Sequence, residues 1–361
     1  MAISPAANYT MGVLMVVVSV VAVTGTVRAL ILFFRMKYVH KRRFSHISFL
    51  FINLIVTDFL CGLFNSSFMA LNLLTPEKSF NGTATFALFC NVNGMADVLA
   101  PQASVLLNAI MSYGRYIAVC KSLRYHSLVT TKKIYIAVCV AWSYSVYLAV
   151  LPYMWDVTYT YFSSISLCSW YNAIITKVNS RPLQAFLFIA IISLPSLVPA
   201  TVVMVCCTLI ITTLVSAASG SDQTISVLKV FFCNPFSRRK EASRGDLQYA
   251  KKMELMEAAR SVLKIVLVFI FCNFAWWIKM ASDVLEFCGI VKFNWADQVI
   301  GETTKNYLNR ILKILVISNS AITPFLYSFS STRSAKKQPS APTLVTHTNR
   351  QHPSQALQSQ L

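Results

Sequence analysis

Long apolar runs alternate with short basic stretches along most of the chain. Residues 11–34 (MGVLMVVVSVVAVTGTVRALILFF) contain no acid and one base, Arg28. Comparable runs follow at about 46–74, 87–119, 134–154, 184–215, 258–282 and 303–328. Each is long enough, as a helix rising about 1.5 Å per residue, to cross a hydrocarbon layer of about 30 Å. The pattern predicts an all-α integral membrane protein, a bundle of seven spanning helices.

The third run shows how the bundle is arranged. No charge lies between Asp97 and Arg115. Asp97, Pro101, Ser104, Asn108, Met111 and Arg115 recur at steps of three or four and share one helical face. A polar stripe on a spanning helix cannot face lipid, so it faces other helices or water. The third span is therefore expected in the middle of the bundle, with a carboxylate near one end and a guanidinium at the other. Asp58, in span two, places a second carboxylate near the membrane centre, where it is costly and usually functional. Arg28 in span one either pairs within the bundle or snorkels to the interface.

Composition agrees with a membrane protein. The 361 residues are 56% hydrophobic and 12% charged, with mean hydropathy +0.58, about half the charge of a soluble domain. The net charge of +19 is not a nucleic-acid signal, because the basic residues sit in short loops beside the apolar runs. Arg35, Lys37, Lys41, Arg42 and Arg43 follow span one, and Lys121, Arg124, Lys132 and Lys133 follow span three. By the positive-inside rule these loops are cytoplasmic, which puts the N-terminus outside and the C-terminus in the cytoplasm. Residues 1–10 form a short extracellular N-terminus without a signal-peptide pattern. Residues 11–330 form the seven-span domain, and 331–361 a Ser/Thr/Gln/Pro-rich cytoplasmic tail that is expected to be disordered.

The ten cysteines lack metal-ligand spacing and read mainly as packing residues. Asn81 begins a glycosylation triplet between spans two and three, and Asn8 begins another near span one. Asn65-Ser66-Ser67 lies within span two, where it is unusable. No nucleophile–base pair, Gly-rich phosphate loop or HExxH motif is present, so an enzyme is not expected. There is also no internal repeat of the kind many transporters carry.

Several motifs together resemble the rhodopsin-like (class A) G-protein-coupled receptors, with the chain as a divergent member. They are Cys90 and Gly114-Arg115-Tyr116 at the two ends of span three, Asn53-Leu54 with Asp58 in span two, and Trp142 and Pro152 in span four. Phe269 and Cys272 in span six, and Asn319-Ser320-Ala321-Ile322-Thr323-Pro324-Phe325-Leu326-Tyr327 in span seven, complete the set. The departures are as telling. Gly114 replaces the acid of Asp-Arg-Tyr, and Thr26 follows Gly25 where the family has Asn. Asn273 and Ala275 replace the span-six Trp and Pro, and Thr323 replaces the second Asn of span seven. Either Pro195 or Pro199 matches the bend-forming proline of span five. Loss of the span-six proline implies a weaker kink.

The resemblance implies a multi-pass plasma-membrane receptor. It would bind an extracellular small ligand within the bundle, a biogenic amine being one candidate, and activate a heterotrimeric G protein, with arrestin as a further partner. A multi-span transporter or channel, and a non-signalling receptor-like scaffold, are the alternatives. A Cys90–Cys168 disulfide is implied, with Cys288 as the competing thiol. Asp97, Pro101, Lys313, Trp276 and Trp277 are the implied ligand-binding residues. Asp97 meets either a ligand's ammonium or Lys313, and Arg310 and Lys279 add positive charge that would suit an anionic or zwitterionic ligand. Asp58, Ser104, Asn319, Ser320 and Thr323 match a family sodium site, with a hydrated polar network as the alternative and no other cofactor. Arg115, Tyr116 and Tyr327 are implied in G-protein coupling. Without the acid at Gly114, basal signalling is expected to rise, unless Glu254 or Glu257 substitutes for it. The family's retinal-linking lysine position holds Ile317, so light sensing is not expected.

Overall fold

The computed structural model describes residues 5–38, 46–75, 84–121, 124–154, 156–162, 165–170, 196–213, 263–282 and 301–336. Span one is α1 (Pro5–Tyr38). Span two is α2 (His46–Leu60), a π-helical turn (Cys61–Ser66) and α3 (Ser67–Leu74) in continuous succession. Span three is α4 (Ala84–Cys120), and the short α5 (Tyr125–Leu128) leads to span four, α6 (Thr131–Met154). An antiparallel hairpin follows, β1 (Thr160–Phe162) and β2 (Leu167–Ser169), with Tyr161 opposite Cys168. Spans five and six are described as α7 (Ser196–Thr213) and α8 (Leu263–Ser282). Span seven is α9 (Gly301–Lys336).

Among the described residues, six helices are long and apolar enough to cross a membrane: α1, the α2–α3 unit, α4, α6, α7 and α8. The seventh span is α9, whose residues 311–328 contain one charge, Lys313. Two boundaries differ from the sequence reading. Most of residues 1–10, expected as an N-terminal tail, already belongs to α1, which starts on Pro5; proline suits a first helical position because its missing N–H would have no helical partner there. At the other end α9 runs through Lys336, six residues into the expected disordered tail. No proline or glycine interrupts it there, and adding residues to an existing helix is easy compared with nucleating one. The rest of the tail, from 337, lies outside the described residues.

Helix α1 packs against α3 and α9, and α4 against α2 and α6. Gly25 of α1 is a point of close approach: a side-chain carbon there would sit 3.1 Å from the Phe325 ring. Arg28 lies on the exposed face of α1, which favours snorkelling over a bundle partner. The buried side chains form two large apolar clusters. One, nearer Arg115, contains Leu54, Ile55, Leu107, Met111, Ile134 and Val266. The other, nearer the hairpin, contains Met15, Cys61, Met69, Ala100, Leu167 and Ile317. Between them on α2, α4 and α9 lie Asp58, Ser104, Asn319, Ser320 and Thr323, all buried. The bundle is thus two apolar cores with a polar layer between. Asn53 ties span two to span four, accepting from Trp142 Nε1 at 2.9 Å and donating to the Phe49 carbonyl.

Candidate functional site

Asp97 and Lys313 meet across the bundle. Lys313 Nζ is 2.8 Å from Asp97 Oδ1 and 2.9 Å from Oδ2. The lysine side chain is 5% exposed and the aspartate 12%. The Lys313 ammonium also lies 4.9 Å from the centre of the Trp276 ring, a cation–π distance. Lys279 approaches the same ring at 5.5 Å. Of the two arrangements open to Asp97 in the sequence, the structure contains the internal one. Removing one partner of such a buried pair is costly, because the other charge stays in a poor solvent.

Pro101, one turn beyond Asp97 in α4, has no N–H to donate to the Asp97 carbonyl. The two tryptophans separate. Trp276 faces the pair, whereas Trp277 is buried edge-on against Phe269, 5.6 Å between ring centres. Asn273 donates to the Phe269 carbonyl at 2.8 Å, and α8 contains no proline. Arg310 donates through Nη1 to Asn8 Oδ1 at 2.6 Å. Asn8 therefore sits at the end of the first turn of α1 with its side chain engaged. Asn81, Pro195, Glu254, Glu257 and Cys288 lie outside the described residues, as does the side chain of Tyr327.

A hydrogen-bonded chain not visible in the sequence leads from the hairpin to the pair. The Cys168 N–H donates to Asn93 Oδ1 at 3.1 Å, and Asn93 Nδ2 donates to Asn65 Oδ1 at 3.4 Å. Asn65 Nδ2 donates to Asp97 Oδ1 at 3.3 Å. Both asparagines are fully or almost fully buried. The hairpin is held above them by a Cys90–Cys168 disulfide. Gly94 makes room for it: a side-chain carbon there would collide with the ring of Tyr159. Tyr159 donates to the Ala149 carbonyl at 2.9 Å, and burial, with Tyr153 and Asp97 adding to it, pushes its phenol up from the usual value.

In the polar layer, Asp58 Oδ2 and Asn108 Oδ1 are buried without a hydrogen-bond partner among the described residues. Asn108 Nδ2 donates to the Ser104 carbonyl at 2.9 Å, and Thr323 Oγ1 to the Asn319 carbonyl at 2.7 Å. Ser320 Oγ donates to the Ile317 carbonyl at 2.6 Å. Oxygen acceptors around one carboxylate suit a hard cation, and two of them await a partner. Asn108 belongs with this group; its place on the stripe beside Ser104 is the sequence signal for it. At the far end of α4, Arg115 is 9% exposed; among the described residues its Nε has no hydrogen-bond partner, and a side chain at Gly114 would meet nothing within 4 Å. Tyr116 packs against the adjoining apolar core.

The family described as 7 transmembrane receptor (rhodopsin family) matches residues 25–327. The human histamine H2 receptor is 35% identical over 112 residues, 31% of this chain and 30% of that protein. The D(1A) dopamine receptor of Didelphis virginiana is 30% identical over 118 residues, 30% of this chain and 24% of that protein. The match thus spans less than a third of these curated relatives. The crystal structure of squid rhodopsin shares the fold, with a TM-score of 0.62 at 16% identity, over 93% of this chain and 85% of that one.

Proposed function

The chain belongs to the rhodopsin family of seven-transmembrane receptors, and on that premise we propose that it is a G-protein-coupled receptor for a small extracellular ligand. As a member of that family it is a non-enzymatic, multi-pass protein of the plasma membrane, built as a seven-helix bundle. The family match over residues 25–327 carries the receptor reading and argues against a transporter or channel. The ligand is received at the hairpin end, among Asp97, Pro101, Trp276, Trp277 and Lys313, with the N-terminus outside. The opposite end, with Arg115, Tyr116 and Tyr327, faces the cytoplasm, engages the G protein, and offers arrestin its surface. Basic loops flanking the spans at that end support this orientation.

Two readings of the ligand remain. Relatives named for histamine and dopamine favour an ammonium directed at Asp97. The Lys313 contact favours a ligand that brings none. For the polar layer, sodium is the proposed cation, held by Asp58, Ser104, Asn108, Asn319, Ser320 and Thr323; the unpartnered Asp58 and Asn108 oxygens support it. A bound cation would supply charge compensation for Asp58. Asn81 is the proposed glycosylation site, ahead of Asn8.

A second-messenger screen of transfected cells tests the receptor reading, with amines, amino acids, peptides and lipids as ligands and with surface expression measured in parallel. A saturable, G-protein-dependent response that is lost with Asp97→Asn is the expected result. Full surface expression, with neither a ligand-dependent nor a ligand-free response through any G protein, would leave a non-signalling scaffold.

A further inference from the structure

We propose that Lys313 is a built-in cation, whose ammonium fills the site made by the Asp97 carboxylate and the Trp276 ring and so excludes free primary amines from it. Occupancy is a binding property; its consequence for ligand choice rests on the receptor reading above. A carboxylate beside an aromatic face is a general site for an alkylammonium. Here both carboxylate oxygens lie within 2.9 Å of one ammonium, and that ammonium arrives on a four-carbon stem from α9. Asn65 takes a further acceptor position on Oδ1 and is itself held by Asn93, so the carboxylate is aimed at the lysine from behind.

A tethered group competes at an effective concentration of about millimolar or above. A free amine at signalling concentration therefore cannot displace Lys313 unless other contacts carry it. To an incoming ligand the pair presents itself as a neutral unit. The ligand of this receptor accordingly lacks a primary ammonium directed at Asp97, unlike the compounds that its similar relatives are named for.

The substitution Lys313→Ala tests this, because it removes three methylenes and the ammonium, the atoms that n-propylammonium would restore. Thermal unfolding of the purified full-length protein is followed with n-propylammonium chloride at millimolar concentration, with 1-propanol as the uncharged control of the same length. Lys313→Ala should lower Tm by about 5–10 °C. n-Propylammonium should recover at least half of that loss, saturably, and 1-propanol should not. Wild-type Tm should not move, and the double variant Asp97→Asn/Lys313→Ala should not respond. An equal shift of wild type, or no recovery of Lys313→Ala, overturns the proposal. If Lys313→Ala does not accumulate, it is expressed with n-propylammonium in the medium. Failure there, while Lys313→Met accumulates normally, assigns the role to the hydrocarbon stem and also overturns it. In cells, Lys313→Ala should gain a response to small primary amines. Thermal rescue without that response upholds the built-in cation and removes the receptor reading instead.

Discussion

Restoring an acid at position 114 isolates the balance between resting and active states. Gly114 lies beside Arg115, which is buried and whose Nε has no hydrogen-bond partner among the described residues. Among the described residues nothing lies within 4 Å of a first side-chain carbon at 114, so Gly114→Asp meets no described neighbour that must repack. A hydrogen bond between charged groups contributes about 1.5–3 kcal/mol. Replacing glycine within a helix adds a few tenths of a kcal/mol for Asp and up to about 1 kcal/mol for Ala, so Gly114→Ala sets an upper bound on that part. If the new bond forms only in the resting state, about 1.4 kcal/mol is a tenfold change in population. Ligand-free signalling should then fall roughly ten- to a hundredfold. The assay is second-messenger accumulation in transfected cells without ligand, scaled to surface expression. Wild type should signal above mock-transfected cells, Gly114→Ala should match wild type, and Gly114→Asp should approach mock. Wild type equal to mock, with Gly114→Asp unchanged, would refute the idea that the missing acid sets the resting state.

Three further outcomes follow from the hairpin end. Asp97→Asn and Lys313→Met should each reduce folded protein by about 3–5 kcal/mol of stability, while the charge-swapped double variant recovers much of it in a double-mutant cycle; additive losses would mean the two do not interact. Gly94→Ala should destabilise by about 1–3 kcal/mol through overpacking against Tyr159, read as a lower Tm, and an unchanged Tm would mean that the hairpin yields freely. Cys168→Ser opens a loop of 78 residues' separation, worth about 4–5 kcal/mol in the chain-entropy model; non-reducing peptide mapping that finds Cys90 and Cys168 free in wild type would remove the basis of this prediction.

The spans are legible because lipid enforces a coarse rule, apolar length, that short-range sequence satisfies on its own. The α4 stripe is legible for a related reason. Helical spacing puts Ser104, Asn108, Met111 and Arg115 on one face, and all four are buried. Contacts between distant segments are harder to read. Asn93 and Gly94 meet the hairpin around residues 159–168, and nothing near them in the chain reports that partner. Trp276 and Trp277 are neighbours about 100° apart on the helix, so composition alone cannot tell which one faces Lys313. Asp97 and Lys313 show both charges but not their occupancy, since a carboxylate serves an internal and an external ammonium equally well. Asn65, in sequence only an unusable glycosylation triplet, is the clearest omission.

The reason lies in the π-helical turn at Cys61–Ser66. A π turn accommodates one residue more than an α turn, so everything beyond it is rotated by about 100° relative to an uninterrupted α-helix. Span two therefore has two phases, one counted from its His46 end and one from its Leu74 end. Asp58 is placed by the first. The second governs Phe68, Met69 and Leu73, which pack into the core beside the hairpin, and Asn65 lies within the turn that joins the two. In evolutionary terms the turn is a stored insertion. Removing one residue of the turn, Leu63 or Phe64, would restore a plain α-helix while leaving both halves on the faces they now present, so a relative with a plain α-helix here should be one residue shorter in span two. Comparison across span two then needs a gap at this turn, or every position on one side of it is matched to the wrong face.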